Sequence, residues 1–83
     1  MKITSGMIDV DIHGKTKRAA YAIVKNIVSS AGADVYRVRV IHGCTAGTEL
    51  RDMIRSDFKK HPKVKRIATG LNPGETFLVL REL

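Results

Sequence analysis

A five-residue pattern occurs twice in this chain: Ile12-His13-Gly14-Lys15-Thr16 and Ile41-His42-Gly43-Cys44-Thr45 both read Ile-His-Gly-x-Thr. Each copy follows an apolar, strand-like run and precedes a helix-like one. If both runs are parallel strands of one sheet, both His-Gly corners fall at its C-terminal edge, where open α/β sheets bind ligands. Each corner then also sits near a helix N-terminus, whose free N–H groups and dipole favour an anion. Two imidazoles beside two such helix ends suggest a site for phosphate.

The flanking runs support that arrangement. From Met7 to Ile12 the sequence alternates, with Ile8, Val10 and Ile12 on one side and Met7, Asp9 and Asp11 on the other. Thr16 is suited to cap a helix in which Ala19, Ala20, Ile23, Val24, Ile27, Val28 and Ala31 form one apolar stripe, with Gly32 as its stop. Val35 to Ile41 repeats the strand logic, placing Tyr36, Val38 and Val40 on one face. Asp9 and Asp11 would then share an open sheet face with Arg37 and Arg39, and cross-strand ion pairing is the simplest account of Asp9.

After the second corner, Leu50, Met53, Ile54 and Phe58 mark the buried face of a second helix, and Arg51, Arg55, Lys59 and Lys60 mark a basic outer side. Pro62 disfavours helical geometry at His61, so this helix should end there. Val64 to Thr69 reads as a third strand, Gly70 to Gly74 as a turn, and Thr76 to Leu80 as a fourth strand. The expected architecture is βαβαββ, a two-layer α/β sandwich with a four-stranded mixed sheet and two helices on one face. Residues 1–6 read as a short N-terminal tail and 7–83 as a single domain.

Composition narrows the partner. With 15 Lys and Arg against 8 Asp and Glu, the net charge is +7, which favours nucleic acid or another polyanion. The single Cys44 excludes an intramolecular disulfide and offers no zinc cluster. There is neither a signal-peptide core nor a run of the ~20 apolar residues that a membrane span needs, so the expected location is cytoplasmic. The sequence leaves the oligomeric state open, with a monomer favoured.

These residues carry a family resemblance. Asp11-Ile12-His13-Gly14 is similar to the Asp-Leu-His-Gly-type motif of the Smr (small MutS-related) domain. The segment His42-Gly43-Cys44-Thr45-Ala46-Gly47-Thr48, followed by Leu50-Arg51, resembles that family's His-Gly-x-Gly-x-Gly-type loop. His61-Pro62-x-Val64 and the closing Gly74-x-Thr76 with its apolar strand also fit, and the likeness is to the stand-alone bacterial type. The resemblance implies a fold like the C-terminal domain of bacterial translation initiation factor three, with strand order 1-2-4-3 and the last strand antiparallel. It implies nucleic-acid binding, endonuclease activity on DNA or RNA in several members, and action on stalled ribosomes in some. It places cleavage at the Asp-x-His motif and nucleic-acid contact at the glycine loop. The loop departs from the pattern: Thr45 replaces the middle glycine, Cys44 a common basic residue, and the segment before Leu50 is one residue longer.

Phosphodiester cleavage needs a base for the attacking oxygen, a proton for the leaving oxygen and stabilisation of charge. His13 or His42 could serve as base or acid, and Asp11 could orient an imidazole or help hold a divalent metal such as Mg²⁺. Gly14, Lys15, Gly43, Thr45, Gly47, Thr48 and Arg51 are the candidate nucleic-acid contacts. The competing reading makes the histidines structural, each bonding a backbone carbonyl at its corner. A non-catalytic module that binds nucleic acid or ribosomes is the alternative function.

Overall fold

The computed structural model describes residues 2–44 and 47–82. Its elements run β1 (Lys2–Thr4), β2 (Met7–Asp11), α1 (Lys17–Ser30), β3 (Arg37–Ile41), α2 (Glu49–Asp57), β4 (Arg66–Ala68) and β5 (Glu75–Val79), with a 3-10 turn at Phe58–Lys60 after α2. The sheet order is β1-β2-β3-β5-β4. β2 and β3 are parallel, and every other neighbouring pair is antiparallel. The expected order of the last four strands is therefore observed, and the expected four-stranded sheet gains a fifth member.

That extra strand is the difference from the sequence reading. Lys2–Thr4, expected as tail, pairs antiparallel with β2 through Lys2↔Asp9 and Thr4↔Met7. Gly6, at φ +76°, makes the reversal between them. A three-residue strand supported on one side only leaves too short a pattern to detect.

Alternation along the central strands sorts the layers. Val10, Val38, Val40 and Leu78 are buried on the helical side, where Val24 and Val28 of α1 and Ile54 and Phe58 of the α2 segment cover them. Burial of each such side chain contributes about 1.5–3 kcal/mol, which fixes both helices against one face. On the other face Arg39 bonds Asp9 at 2.8 Å and approaches Glu75 at 3.8 Å, the ion pairing expected for Asp9.

The helix ends follow local chemistry. Thr16 Oγ1 accepts the Ala19 N–H at 3.1 Å, capping α1 as expected. The other end differs: Ala31, not Gly32, turns the chain into extended geometry, and Lys63 Nζ donates to the carbonyls of Ser29 and Ala31 at 2.9 and 3.0 Å. His61 is extended at ψ 132°, so the helical run stops before Pro62 as the proline requires.

Candidate functional site

Parallel pairing in the register Asp11↔Ile41 brings the two His-Gly corners side by side. The Ile12 N–H donates to the Ile41 carbonyl at 2.9 Å, extending the ladder one step past the strands. Gly14 and Gly43 then turn the chain at φ +76° and +80°, a region that side-chain-bearing residues resist. The corners are close enough that a Cβ on Gly43 would lie 3.5 Å from the Cβ of His13. The shared edge expected from the repeat is therefore present.

The two histidines nevertheless occupy different environments. His13 and Asp11 have side chains 70% and 52% exposed, and His13 Nδ1 lies 2.5 Å from Asp11 Oδ1. The same carboxylate oxygen accepts the His13 backbone N–H at 3.0 Å. The ring hydrogen bond first, and the backbone one second, hold the Asp11 carboxyl below its ordinary value. An ionised Asp11 accepts the Nδ1 proton, and Nε2 of His13 has no hydrogen-bond partner among the described residues. Spacing explains the geometry: residues two apart project to the same side as the strand ends, and the turn at Gly14 leaves the imidazole outside the core.

His42 is 5% exposed, and both of its nitrogens are occupied. Nδ1 donates to the Gly43 carbonyl at 2.8 Å, so Nε2 accepts the Thr76 hydroxyl at 2.8 Å. Thr76 Oγ1 in turn accepts Nε–H of Arg55 at 3.0 Å. Proton directions along Arg55, Thr76, His42 and Gly43 are thus fixed by the end members, because guanidinium only donates and a carbonyl only accepts. Burial pushes the His42 pKa down, and the positive charges of Arg55 and Arg51 add to that. A buried imidazole with both nitrogens engaged holds the corner, and Thr76 and Gly43 are the partners that occupy them.

The remaining candidates divide. Gly14, Lys15, Thr16 and Lys17 line a shallow pocket of about 180 Å³ with His42, Gly47, Glu49 and Leu50, so both corners border one concavity. Gly47, at φ +105°, has open space where a side chain would be. Thr45 lies outside the described residues. Thr48 precedes α2 but spends its hydroxyl on Asp52 at 3.0 Å rather than on the helix N–H groups. Arg51 pairs with Asp52 at 3.1 Å, and this contact, followed by the Thr48 hydroxyl, lowers the Asp52 pKa. With Glu49 and Asp52 in its first turn, α2 presents its own carboxylates where an anion was expected. Arg55, read as part of the basic outer side, turns inward to Thr76. Among the described residues, no group of three or more His, Cys, Asp or Glu converges to hold a metal ion.

One contributor escaped the sequence reading. The Gly74 carbonyl accepts the backbone N–H groups of both His42 and Gly43, at 2.9 and 3.0 Å, so the turn before β5 clamps the second corner. The Asn72-Pro73-Gly74 turn was legible, but nothing in it named His42 as its partner.

A parallel βαβ core with an exposed Asp-x-His dyad beside a glycine loop defines a small α/β domain with a polar edge site. Residues 10–75 match the Smr domain, and the chain belongs to the Smr domain family, known for nucleic-acid binding and nuclease activity. It is similar to the crystal structure of the Smr domain of Thermus thermophilus MutS2, with 27% identity and a TM-score of 0.78, over 90% of this chain and 99% of that one. A comparison with curated proteins finds no match. No helix among the described residues is long and apolar enough to cross a membrane.

Proposed function

We propose that this protein is an endonuclease that cleaves phosphodiester bonds in RNA or DNA at the Asp11–His13 dyad. The observation that supports this most is the exposed His13 ring held by the Asp11 carboxylate through Nδ1, leaving Nε2 free. In this reading Nε2 takes the proton of the attacking oxygen, and Asp11 keeps the tautomer and steadies the imidazolium that forms. Lys15, which flanks the shared pocket, supplies positive charge to the phosphate, and the Gly14 and Gly43 corners allow close backbone approach. A divalent metal such as Mg²⁺ would engage Asp11 as its nearest carboxylate.

His42 takes no part in the chemistry as proposed, so the proton for the leaving oxygen comes from water or from His13 after it has been charged. The closed Arg55–Thr76–His42 chain also favours a second reading, a non-catalytic module that docks on nucleic acid or ribosomes. The two readings part in one experiment. Labelled RNA and DNA are incubated with the protein, with and without Mg²⁺, beside Asp11→Ala and His13→Ala. Removal of a general base should lower the cleavage rate about 100- to 10,000-fold with affinity nearly unchanged. A parent that binds but does not cut leaves the binding module standing.

A further inference from the structure

A concavity of about 610 Å³ lies away from the dyad, at the opposite edge of the sheet. It is bordered by Tyr36, Lys63, Lys65 and Arg81, and a second hollow on the other side of Tyr36 is bordered by Arg37, Arg81 and Glu82. Tyr36 stands between them, 38% exposed, although alternation alone placed it on the buried face with Val38 and Val40.

Its backbone is held from two sides. The N–H groups of Tyr36 and Arg37 both donate to the Gly6 carbonyl, at 2.7 and 3.2 Å. The Tyr36 carbonyl accepts the N–H groups of Leu80 and Arg81, at 2.7 and 3.2 Å. A Cβ on Gly6 would lie 3.3 Å from the Tyr36 ring, so the turn between β1 and β2 seats one part of the ring and leaves the rest open. An aromatic fixed in this way needs little further ordering to stack on a ligand.

Basic residues gather at this edge. Residues 59–66 contain five Lys or Arg and no acid, and they lead into the edge that carries Tyr36. At the dyad edge, α2 begins with Glu49 and Asp52, and Arg51 is committed to Asp52. Near Tyr36, Glu82 is paired with Arg66, and Lys63 Nζ is engaged by the α1 carbonyls. Arg37, Lys65 and Arg81 form no ion pair among the described residues.

We propose that Tyr36, with Arg37, Lys65 and Arg81, forms a second contact for a single-stranded stretch of nucleic acid, remote from the Asp11–His13 dyad. Tyr36 stacks on an unpaired base, and the three cations take the phosphates on either side. The inference rests on the nucleic-acid reading of the chain but not on cleavage. Four strand steps of ~3.3 Å separate Arg37 from Ile41, so one strand must run more than about 13 Å to touch both edges.

The test uses fluorescein-labelled oligo(U) and oligo(dT) of about 4, 8 and 16 nucleotides, a range that spans known single-strand site sizes. Affinity of the parent should rise steeply with length. Tyr36→Ala should weaken binding of the longest oligomer by about 5- to 150-fold, with Tyr36→Phe close to the parent. The Lys65→Gln/Arg81→Gln double variant touches only exposed side chains, so it reads the site even if Tyr36→Ala fails to fold. It should flatten the log–log salt slope by about 1.4. Binding and salt slope equal to the parent in the double variant and in folded Tyr36→Ala would overturn the inference, while cleavage lost only in His13→Ala would leave the proposed function intact. A parent that binds no oligomer of any length overturns both.

Discussion

Replacing Thr76 by valine removes one hydroxyl from the chain of bonds behind the second corner and changes almost nothing in shape. In the folded protein His42 Nε2 and Arg55 Nε both meet that oxygen, at 2.8 and 3.0 Å, and Thr76 itself is fully buried. Valine leaves the imidazole nitrogen without a donor, which costs about 1–3 kcal/mol for a buried group. The half-buried Arg55 loses an acceptor but keeps access to water, adding about 0.5–1 kcal/mol. The expected loss is therefore about 1.5–4 kcal/mol, a large share of the ~4–12 kcal/mol a chain of this length commands. In a thermal melt each kcal/mol moves the midpoint by about 4–8 °C in a domain of this size, so a fall of at least ~6 °C is expected. Urea titration should show a lower midpoint at an unchanged slope. Thr76→Ser, which keeps the hydroxyl, should lose about 1 kcal/mol or less. If valine and serine variants melt within ~0.5 kcal/mol of each other, the hydroxyl is not holding His42, and its assignment as a structural residue fails.

Two further expectations follow from the same geometry. Because burial lowers the folded pKa of His42, the unfolded chain binds the proton first as pH falls below its ordinary value near 6.5. Stability should be complete above that pH and decline below it, by no more than ~1.4 kcal/mol per pH unit for this one group; His42→Gln, measured by urea titration across pH 5–7.5, should remove that component. Lys63→Met should uncap the Ser29 and Ala31 carbonyls and cost about 1 kcal/mol, with amide hydrogen exchange accelerating in the last turn of α1 and little changed in β3.

Patterns of short period made most of the fold readable. Ile8-Asp9-Val10-Asp11 and Arg37-Val38-Arg39-Val40 announce half-buried strands, and their pairing as parallel neighbours follows from the helix between them. The Asp11–His13 dyad was readable for the same reason, since both members lie within three positions of one strand end. What failed to show was set by contacts distant in sequence. His42 and His13 look alike in the repeat, and only Thr76, 34 residues on, and the Gly74 carbonyl make one a buried support while the other stays exposed. Arg55 shared a helical stripe with surface cations, yet its Nε–H is given to the buried Thr76 hydroxyl. Tyr36 kept the alternation of a core residue, but the strand begins one residue later, at Arg37, and the ring is left at the rim.

The place of β5 in the sheet has a consequence for the order in which the protein matures. β5, made after all the other strands of this sheet, inserts between β3 and β4, and it carries Thr76 and follows Gly74, the two residues that fix the second corner. A ribosome adding 5–20 residues per second needs about 2–7 s to pass from Ile41 to Glu75. Throughout that interval the emerging chain has both histidines but no partner for the second, and an unfilled slot beside β3. Folding is therefore gated by the synthesis of β5 rather than by the first βαβ unit, and the dyad gains a fixed neighbour only when the β4–β5 hairpin closes. Non-local closure of this kind also slows folding, because the entropy of a long loop is lost before the strand gains its pairs.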